Sequence, residues 1–355
     1  KSSLGLLAAG YDSLVMAIIR PPRCVYKVED LGPTRASISG GLMILRRDFS
    51  VVNRRGLTLH GSQWRPAFVD NTSQLPCVVC LHGNSSARID VVRTRSLALL
   101  SGLGCSVVAF DFSGSGLSQG EFVTLGANEH HDVADVLAHL RREGWAPPRV
   151  TLWGRSMGAA SALLYTAAYG DDMISGLVLD SPFASFQRLA ADLVKMGQVT
   201  VPKLAVKAAL ALIRRSVKKR ARCDVRDLSP LAGVGSITVP ALFVAAHADK
   251  VVPHCHGELL SAAYSGPHHL LSCSGGHNSA RPAAVQEAIR VFLRASFRYH
   301  SHPAGPAGGA AAMAEVFAAI GRLEEAAMTP RGARSVAHLL ADAGGGGGGK
   351  VKGGS

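Results

Sequence analysis

Short apolar segments recur along this chain with helix-patterned segments between them, and few architectures accept that alternation. Cys77 to Leu81, Ser106 to Asp111, Val150 to Trp153, Leu177 to Asp180 and Ala241 to Ala246 read as strands, with His269 to Ser272 as a last short one. Helical patterning fills Val91 to Leu103, Asn128 to Arg142, the residues after Ser156, Gly257 to Ala263 and Val285 to Ala295. Strands that are apolar throughout are buried on both faces, and strands that alternate with helices run parallel. The pattern therefore predicts an α/β fold, a mostly parallel sheet with helices on both faces. Ligands of such sheets bind at the strands' carboxyl ends, so any chemistry should lie there.

At one of those ends stands Gly154-Arg155-Ser156-Met157-Gly158, preceded by Val150-Thr151-Leu152-Trp153 and followed by the small and apolar residues Ala159 to Leu164. That is strand, sharp turn, helix. A serine on such a turn is held out over the sheet, and the flanking glycines keep side chains from colliding with the neighbouring strand and helix. Ser156 is the candidate nucleophile. Its hydroxyl needs a base to take the proton, and the base needs a carboxylate to hold its tautomer. Two later strands end in loops that carry these groups: His247-Ala248-Asp249-Lys250 supplies Asp249, and Ser274-Gly275-Gly276-His277-Asn278 supplies His277. The order serine, acid, histidine fits the fold. An oxyanion hole would use the N–H of Met157 and that of Asn84, in the loop Leu81-His82-Gly83-Asn84-Ser85-Ser86. His82 reads as shaping that loop. Asp111 and Asp180 also end strands and read as loop-holding residues, with Asp180 the second candidate for the acid.

The flanks of this core are less regular. An amphipathic stretch with Tyr11, Leu14, Val15 and Ile18 at helical spacing stops at Pro21-Pro22 and reads as a helix packed on the domain's surface or as a membrane-docking helix. A hairpin follows, with Phe49 to Val52 and Leu57 to Leu59 joined through Asn53 to Gly56. Between Ser181 and Val239 a helical insert interrupts the alternation. There Val206, Leu210, Ile213 and Val217 form an apolar stripe, while Lys203, Lys207, Arg214, Arg215, Lys218 and Lys219 occupy the other faces. Much of the chain's formal charge of +13 lies in this insert. It reads as a solvated face or as a contact for an anionic membrane surface or acidic partner. Nucleic acid is excluded as a partner, because few aromatics neighbour the patch and no nucleic-acid-binding module is present. Beyond Tyr299 alanine, glycine and proline dominate; Met313, Phe317 and Ile320 could line a short helix in an otherwise flexible tail.

Seven cysteines at irregular spacing argue for reduced thiols. Cys77 and Cys80 sit three apart on a strand and face opposite sides, which argues against a shared metal. No metal and no cofactor are expected. Gly344 to Lys350 imitates the start of a phosphate-binding loop, but Val351 replaces the required hydroxyl residue. Gly114-Ser115-Gly116 imitates a dinucleotide fingerprint, but the third glycine arrives one position late at Gly120. No apolar run approaches the roughly 20 residues that span a bilayer. The chain reads as intracellular and cytoplasmic, with peripheral membrane contact as a variant and a leader before Lys1 left open.

These segments resemble the α/β-hydrolases, in the branch labelled serine aminopeptidase S33-like or Hydrolase_4. The resemblance rests on Leu81-His82-Gly83-Asn84, Phe110 to Ser118, Gly154 to Gly158, Leu179 to Phe183, Asp249, and the Gly-His-Asn-Ser-x-Arg-Pro segment around His277; it runs from about Tyr11 to Phe297. It implies an α/β-hydrolase fold with an eight-stranded, mostly parallel sheet and a short helical cap, here the insert at residues 182–239. The expected organisation is an extension over residues 1–40, the hydrolase domain over 41–298 and the tail over 299–355. The implied function is a serine hydrolase that cleaves a carboxylic ester or thioester through an acyl-enzyme. Its substrate would be small or lipid-like, with Ser156, Asp249 and His277 catalytic. An S33-type peptidase and a non-catalytic scaffold that binds through the basic insert are the alternatives.

Overall fold

In the computed structural model, which describes residues 15–16, 18–38, 41–69, 75–94, 96–97, 103–145, 149–197, 206–299, 301, 303 and 305–328, with the side chains of 206–213, 306 and 326–328 excepted, nine strands form one sheet. They are β1 (Arg35–Ile38), β2 (Leu42–Val52), β3 (Thr58–Pro66), β4 (Cys77–Leu81), β5 (Ser106–Phe110), β6 (Val150–Arg155), β7 (Ile174–Asp180), β8 (Ala241–Ala246) and β9 (His268–Cys273). Across the sheet they run β1-β2-β3-β5-β4-β6-β7-β8-β9. Pairing is antiparallel as far as the β3–β5 pair and parallel from there to β9. Eight of these strands match the sequence reading. The ninth, β1, adds to the open edge of β2, and its half-exposed Arg-Ala-Ser-Ile has no apolar run by which to be seen.

The helices are α1 (Asp90–Arg93), α2 (Glu129–Arg142), α3 (Met157–Tyr169), α4 (Phe186–Lys195), α5 (Val206–Ala221), α6 (Pro230–Gly233), α7 (Cys255–Ala263), α8 (Ala283–Ser296) and α9 (Gly305–Met328). Of the helix expected over residues 91–103 the structure gives α1 alone as a complete element, and residues 98–102 lie outside the described part. Alternation along each central strand splits the core in two. Cys77, Val79, Leu152 and Phe243 point to the face covered by α2, α3 and α7, where they meet Val133, Leu163 and Leu260. Val78, Val107, Leu242 and Val244 point to the other face, against Ile289 and Phe292 of α8 and Met313, Phe317 and Ile320 of α9. Cys77 and Cys80 belong to opposite faces, and all seven cysteines are free thiols.

One part of the sequence reading needs correction. Residues 305–328, assigned to a flexible tail, form a helix whose Met313, Phe317 and Ile320 are all at most 8% exposed. Each such side chain is worth roughly 1.5–3 kcal/mol on burial, enough to hold α9 on the sheet. Its glycines and alanines, which suggested looseness, are what lets it lie close: Gly309 packs beneath Tyr299, where a Cβ would come within 2.8 Å of the tyrosine carbonyl. The basic insert is also less free than its sequence implies. Arg214 donates two hydrogen bonds to Asp224, at 2.7 and 2.6 Å, so one of its charges is answered within the protein. That guanidinium holds the Asp224 carboxyl well below the usual carboxylate range. Lys203 and the side chains of Val206, Lys207, Leu210 and Ile213 lie outside the described residues, as do Tyr11, Leu14 and residues 344–355. Val217, Ala221 and Val225 are buried together with Val15 and Ile19 of the N-terminal segment, and with Ala160, Phe183 and Val252 of the domain. This third cluster sits over the carboxyl ends of the strands.

Candidate active site

Ser156 occupies the junction of β6 and α3 with φ 51° and ψ −114°, a backbone conformation that few non-glycine residues adopt. Its N–H donates to the Asp180 carbonyl at 2.8 Å and its own carbonyl accepts from Ala160 at 3.0 Å, so strand and helix both fix the turn. The flanking glycines are required by space. A Cβ on Gly154 would lie 2.4 Å from the Gly158 carbonyl carbon, and one on Gly158 would lie 2.1 Å from the Leu81 carbonyl oxygen. The elbow is thus pressed against the end of β4. That contact brings the Asn84 loop beside it, since a Cβ built on Gly83 would come within 3.7 Å of the Ser156 Cβ.

Asp249 and His277, on the loops after β8 and β9, meet at 2.7 Å between carboxylate Oδ2 and ring Nδ1. The other carboxylate oxygen accepts the N–H groups of Val251 and Val252, each at 2.8 Å. Burial alone would raise the Asp249 carboxyl, but the His277 hydrogen bond and these two backbone donors hold it below its ordinary value. An ionised Asp249 accepting from Nδ1–H leaves the Nε2 lone pair of His277 to take a proton. In the turn before Asp249 the His247 N–H donates to the Cys273 carbonyl and the His247 ring stacks on His254 at 4.7 Å. Ser156 is tied to this pair through its neighbour. Arg155 donates to the His277 carbonyl at 2.5 Å and to Asn278 Oδ1 at 3.3 Å. No direct hydrogen bond joins the Ser156 hydroxyl to the His277 ring among the described residues.

The loops around the elbow are held by groups that the sequence placed correctly at strand ends. His82 accepts from the Phe112 N–H at Nε2 and therefore donates from Nδ1 to the Gly83 carbonyl, at 3.0 and 2.8 Å. It shapes the Asn84 loop and has no ring nitrogen left for catalysis. Asp111, fully buried, accepts from the Tyr26 hydroxyl, the Arg88 N–H and the Leu117 N–H. Burial, and then the Asp111 carboxylate, push the Tyr26 phenol well above its ordinary range. Asp180 is taken by Arg281, whose Nη2 and Nε approach at 2.6 and 3.0 Å. With its carboxylate claimed by a guanidinium and 10% exposed, Asp180 is not the partner of His277. Arg281 and Arg155 were both present in the motifs, but the pattern of residue types did not disclose what they grip.

One group among the described residues has the composition of a metal site: Asp192, Cys255 and His256. Its geometry argues against an ion. His256 Nδ1 accepts the Ala184 N–H at 3.0 Å, so Nε2 carries the proton and faces Asp192 at 3.5 Å. Coordination through Nε2 would require an imidazolate or the loss of that backbone bond.

A mostly parallel sheet clad on both faces, with a strained serine at one strand end and an acid–histidine pair on two later loops, is the arrangement of the α/β-hydrolase fold. Residues 76–229 of the chain match the family described as Hydrolase_4: Serine aminopeptidase, S33. The chain is 27% identical over 301 residues to an uncharacterized protein of Mycobacterium tuberculosis, across 82% of this chain and 92% of that one. Over 231 residues it is 26% identical to the uncharacterized protein YqkD of Bacillus subtilis, covering 65% and 72%. A shorter stretch of 120 residues is 31% identical to the lysophosphatidylserine lipase ABHD12 of Gallus gallus, covering 33% and 31%. The fold is similar to that of the Pyrococcus furiosus esterase Pf2001, with a TM-score of 0.56, 21% identity, and 78% of this chain and 98% of that chain covered.

Proposed function

We propose that the protein is a serine hydrolase that cleaves a carboxylic ester or thioester through an acyl-enzyme. The observation that carries this reading is the meeting of Asp249 with His277 at 2.7 Å on a loop that Arg155, beside Ser156, holds in place. In this mechanism the Ser156 hydroxyl attacks the acyl carbon while His277 Nε2 takes its proton. The N–H groups of Asn84 and Met157 receive the oxyanion, the latter at the N-terminus of α3 where the helix dipole adds to the attraction. His277 then protonates the leaving alcohol or thiol, and water repeats the sequence to release the acid. Asp249 stays ionised throughout and stabilises the imidazolium.

An ester or thioester with an apolar acyl group is favoured by the apolar cluster over the strand ends. Phe183 and Val252 flank Ala160, which is one helical turn from Ser156, and the cap and N-terminal segment close over them. The names of an esterase among the similar folds and a lipase among the relatives point the same way. The test is hydrolysis of p-nitrophenyl esters and acyl thioesters of increasing chain length by wild type and by Ser156→Ala. Turnover lost in the variant supports the proposal. Turnover that survives Ser156→Ala, or none with any ester, thioester or peptide amide, rejects it in favour of another nucleophile or a scaffold.

A further inference from the structure

Beside the His277 loop, on the face of the sheet that carries α1 and α8, lies a cavity of about 590 Å³. That volume is within the usual range for small-molecule sites. Its charged lining comprises Arg88, Arg93, Arg155, Arg281, Asp90 and Asp180, four arginines against two aspartates. Most of these are already engaged. Asp180 and Arg281 hold each other, Arg155 holds the His277 carbonyl, and Asp90 accepts the Ser86 hydroxyl. Arg88 is different. Its side chain is on a residue 3% exposed, its Nε and Nη1 are buried with no hydrogen-bond partner among the described residues, and its guanidinium lies over the Tyr26 ring at 5.9 Å. Asp111 lies close enough to accept the Arg88 backbone N–H but forms no ion pair with the guanidinium. A guanidinium removed from water with no ion pair and two N–H groups unpartnered is costly, and an anion that reaches it from the cavity offsets that cost.

We propose that this cavity binds a phosphate-class oxyanion, with Arg88 as its buried cation and Arg93 at its rim. A phosphate presents several acceptor oxygens to a guanidinium whose Nε and Nη1 have no hydrogen-bond partner among the described residues, and charge-assisted bonds of that kind are the strong ones. The site is separate from the hydrolytic one, but Arg155 and Arg281 line it while gripping the His277 and Gly276 carbonyls. An occupant therefore sits against the supports of the candidate base. The occupant is either free phosphate or the phosphate group of an ester substrate; only the second rests on the hydrolase reading.

The test uses inorganic phosphate on the full chain, at constant ionic strength set with chloride. Calorimetry on wild type and Ser156→Ala should give saturable binding in both, so a failed hydrolase reading leaves this arm intact. Arg88→Gln should weaken it by about 10- to 100-fold, the scale of a lost hydrogen bond to a charged group. In phosphate-free buffer Arg88→Gln should melt no lower than wild type, because an unanswered charge has been removed. Added phosphate should then raise the wild-type melting temperature and leave the variant's unchanged. Competition separates the sources: phosphate that inhibits a phosphate-bearing ester and spares a neutral one marks a headgroup subsite, and phosphate that binds while sparing both marks a free ligand. No saturable binding by wild type overturns the proposal, as does binding unaffected by Arg88→Gln. Inhibition of a neutral ester that is insensitive to Arg88→Gln also overturns it, because phosphate would then be in the hydrolytic site.

Discussion

Asp249→Asn is the substitution that separates the two acids most sharply, because the local geometry fixes how the amide must sit. Val251 and Val252 donate to one oxygen of the carboxylate at 2.8 Å each, and only an oxygen can accept them. The new NH2 is then forced towards His277 Nδ1, where the carboxylate oxygen stood at 2.7 Å. It must donate to that nitrogen, so the ring proton moves to Nε2 and the Nε2 lone pair that the proposed mechanism needs is lost. In a Ser-His-Asp triad the wrong tautomer costs about 10⁴ in kcat, or about 5.4 kcal/mol of transition-state stabilisation. KM should change little, since Asp249 is buried and touches no substrate. The cost in stability should be modest, about 1–3 kcal/mol for an altered buried hydrogen bond. Asp180→Asn should behave in the opposite way. It strips the partner from Arg281, whose side chain is 8% exposed, and breaking a buried pair costs about 3–5 kcal/mol. The melting temperature should fall while the folded fraction retains most of its kcat. The assay is steady-state hydrolysis of a short p-nitrophenyl ester alongside calorimetric melting. Asp249→Asn within tenfold of wild type, or Asp180→Asn as damaging per folded molecule as His277→Ala, refutes the assignment.

Gly158→Ala should both destabilise and inactivate: its methyl would lie 2.1 Å from the Leu81 carbonyl, so α3 and β4 must part, at a cost of roughly 1–3 kcal/mol or more and with the proposed oxyanion donors displaced. Melting and ester hydrolysis measure the two effects, and a fully active variant would contradict the described elbow. Phe317→Ala should lower stability by roughly 3 kcal/mol in a denaturant titration, because the ring is buried against Phe292 and His269, whereas a loose tail would lose nothing. Acid should weaken the fold before the carboxylates titrate. Burial, with His130 and Arg54 nearby, pushes His131 down to about 4 from an ordinary value near 6.5, so between those pH values the unfolded chain binds a proton that the folded one refuses. Stability therefore rises with pH across that window, and His131→Gln should flatten part of the slope of melting temperature against pH.

The sequence made the central sheet legible because buried parallel strands leave continuous apolar runs. It made the elbow legible because Gly154 and Gly158 are demanded by close approach of backbone to backbone. The edge strand β1 escaped because half its residues face solvent and carry no pattern. Helix α9 was read as tail because a composition of alanine and glycine looks the same whether it is unstructured or packed close against a sheet. Pairing was the hardest quantity to read. Asp180 and Asp249 both end strands, and only the positions of Arg281 and His277 in space decide which carboxylate each one meets. The same holds for Arg214 and Arg88: one basic residue is answered by an aspartate ten positions on, while the Nε and Nη1 of the other have no hydrogen-bond partner among the described residues.

Covalent trapping tests the proposed nucleophile, Ser156, most directly. An alkyl fluorophosphonate should add one equivalent to the wild-type chain, and fragment sequencing of the tryptic peptide spanning residues 156–188 should place it on Ser156. The modification should vanish in Ser156→Ala and slow by orders of magnitude in His277→Ala. An unmodified wild-type chain, or a label carried by Ser161, Ser175, Ser181 or Ser185 of the same peptide, would contradict the assignment.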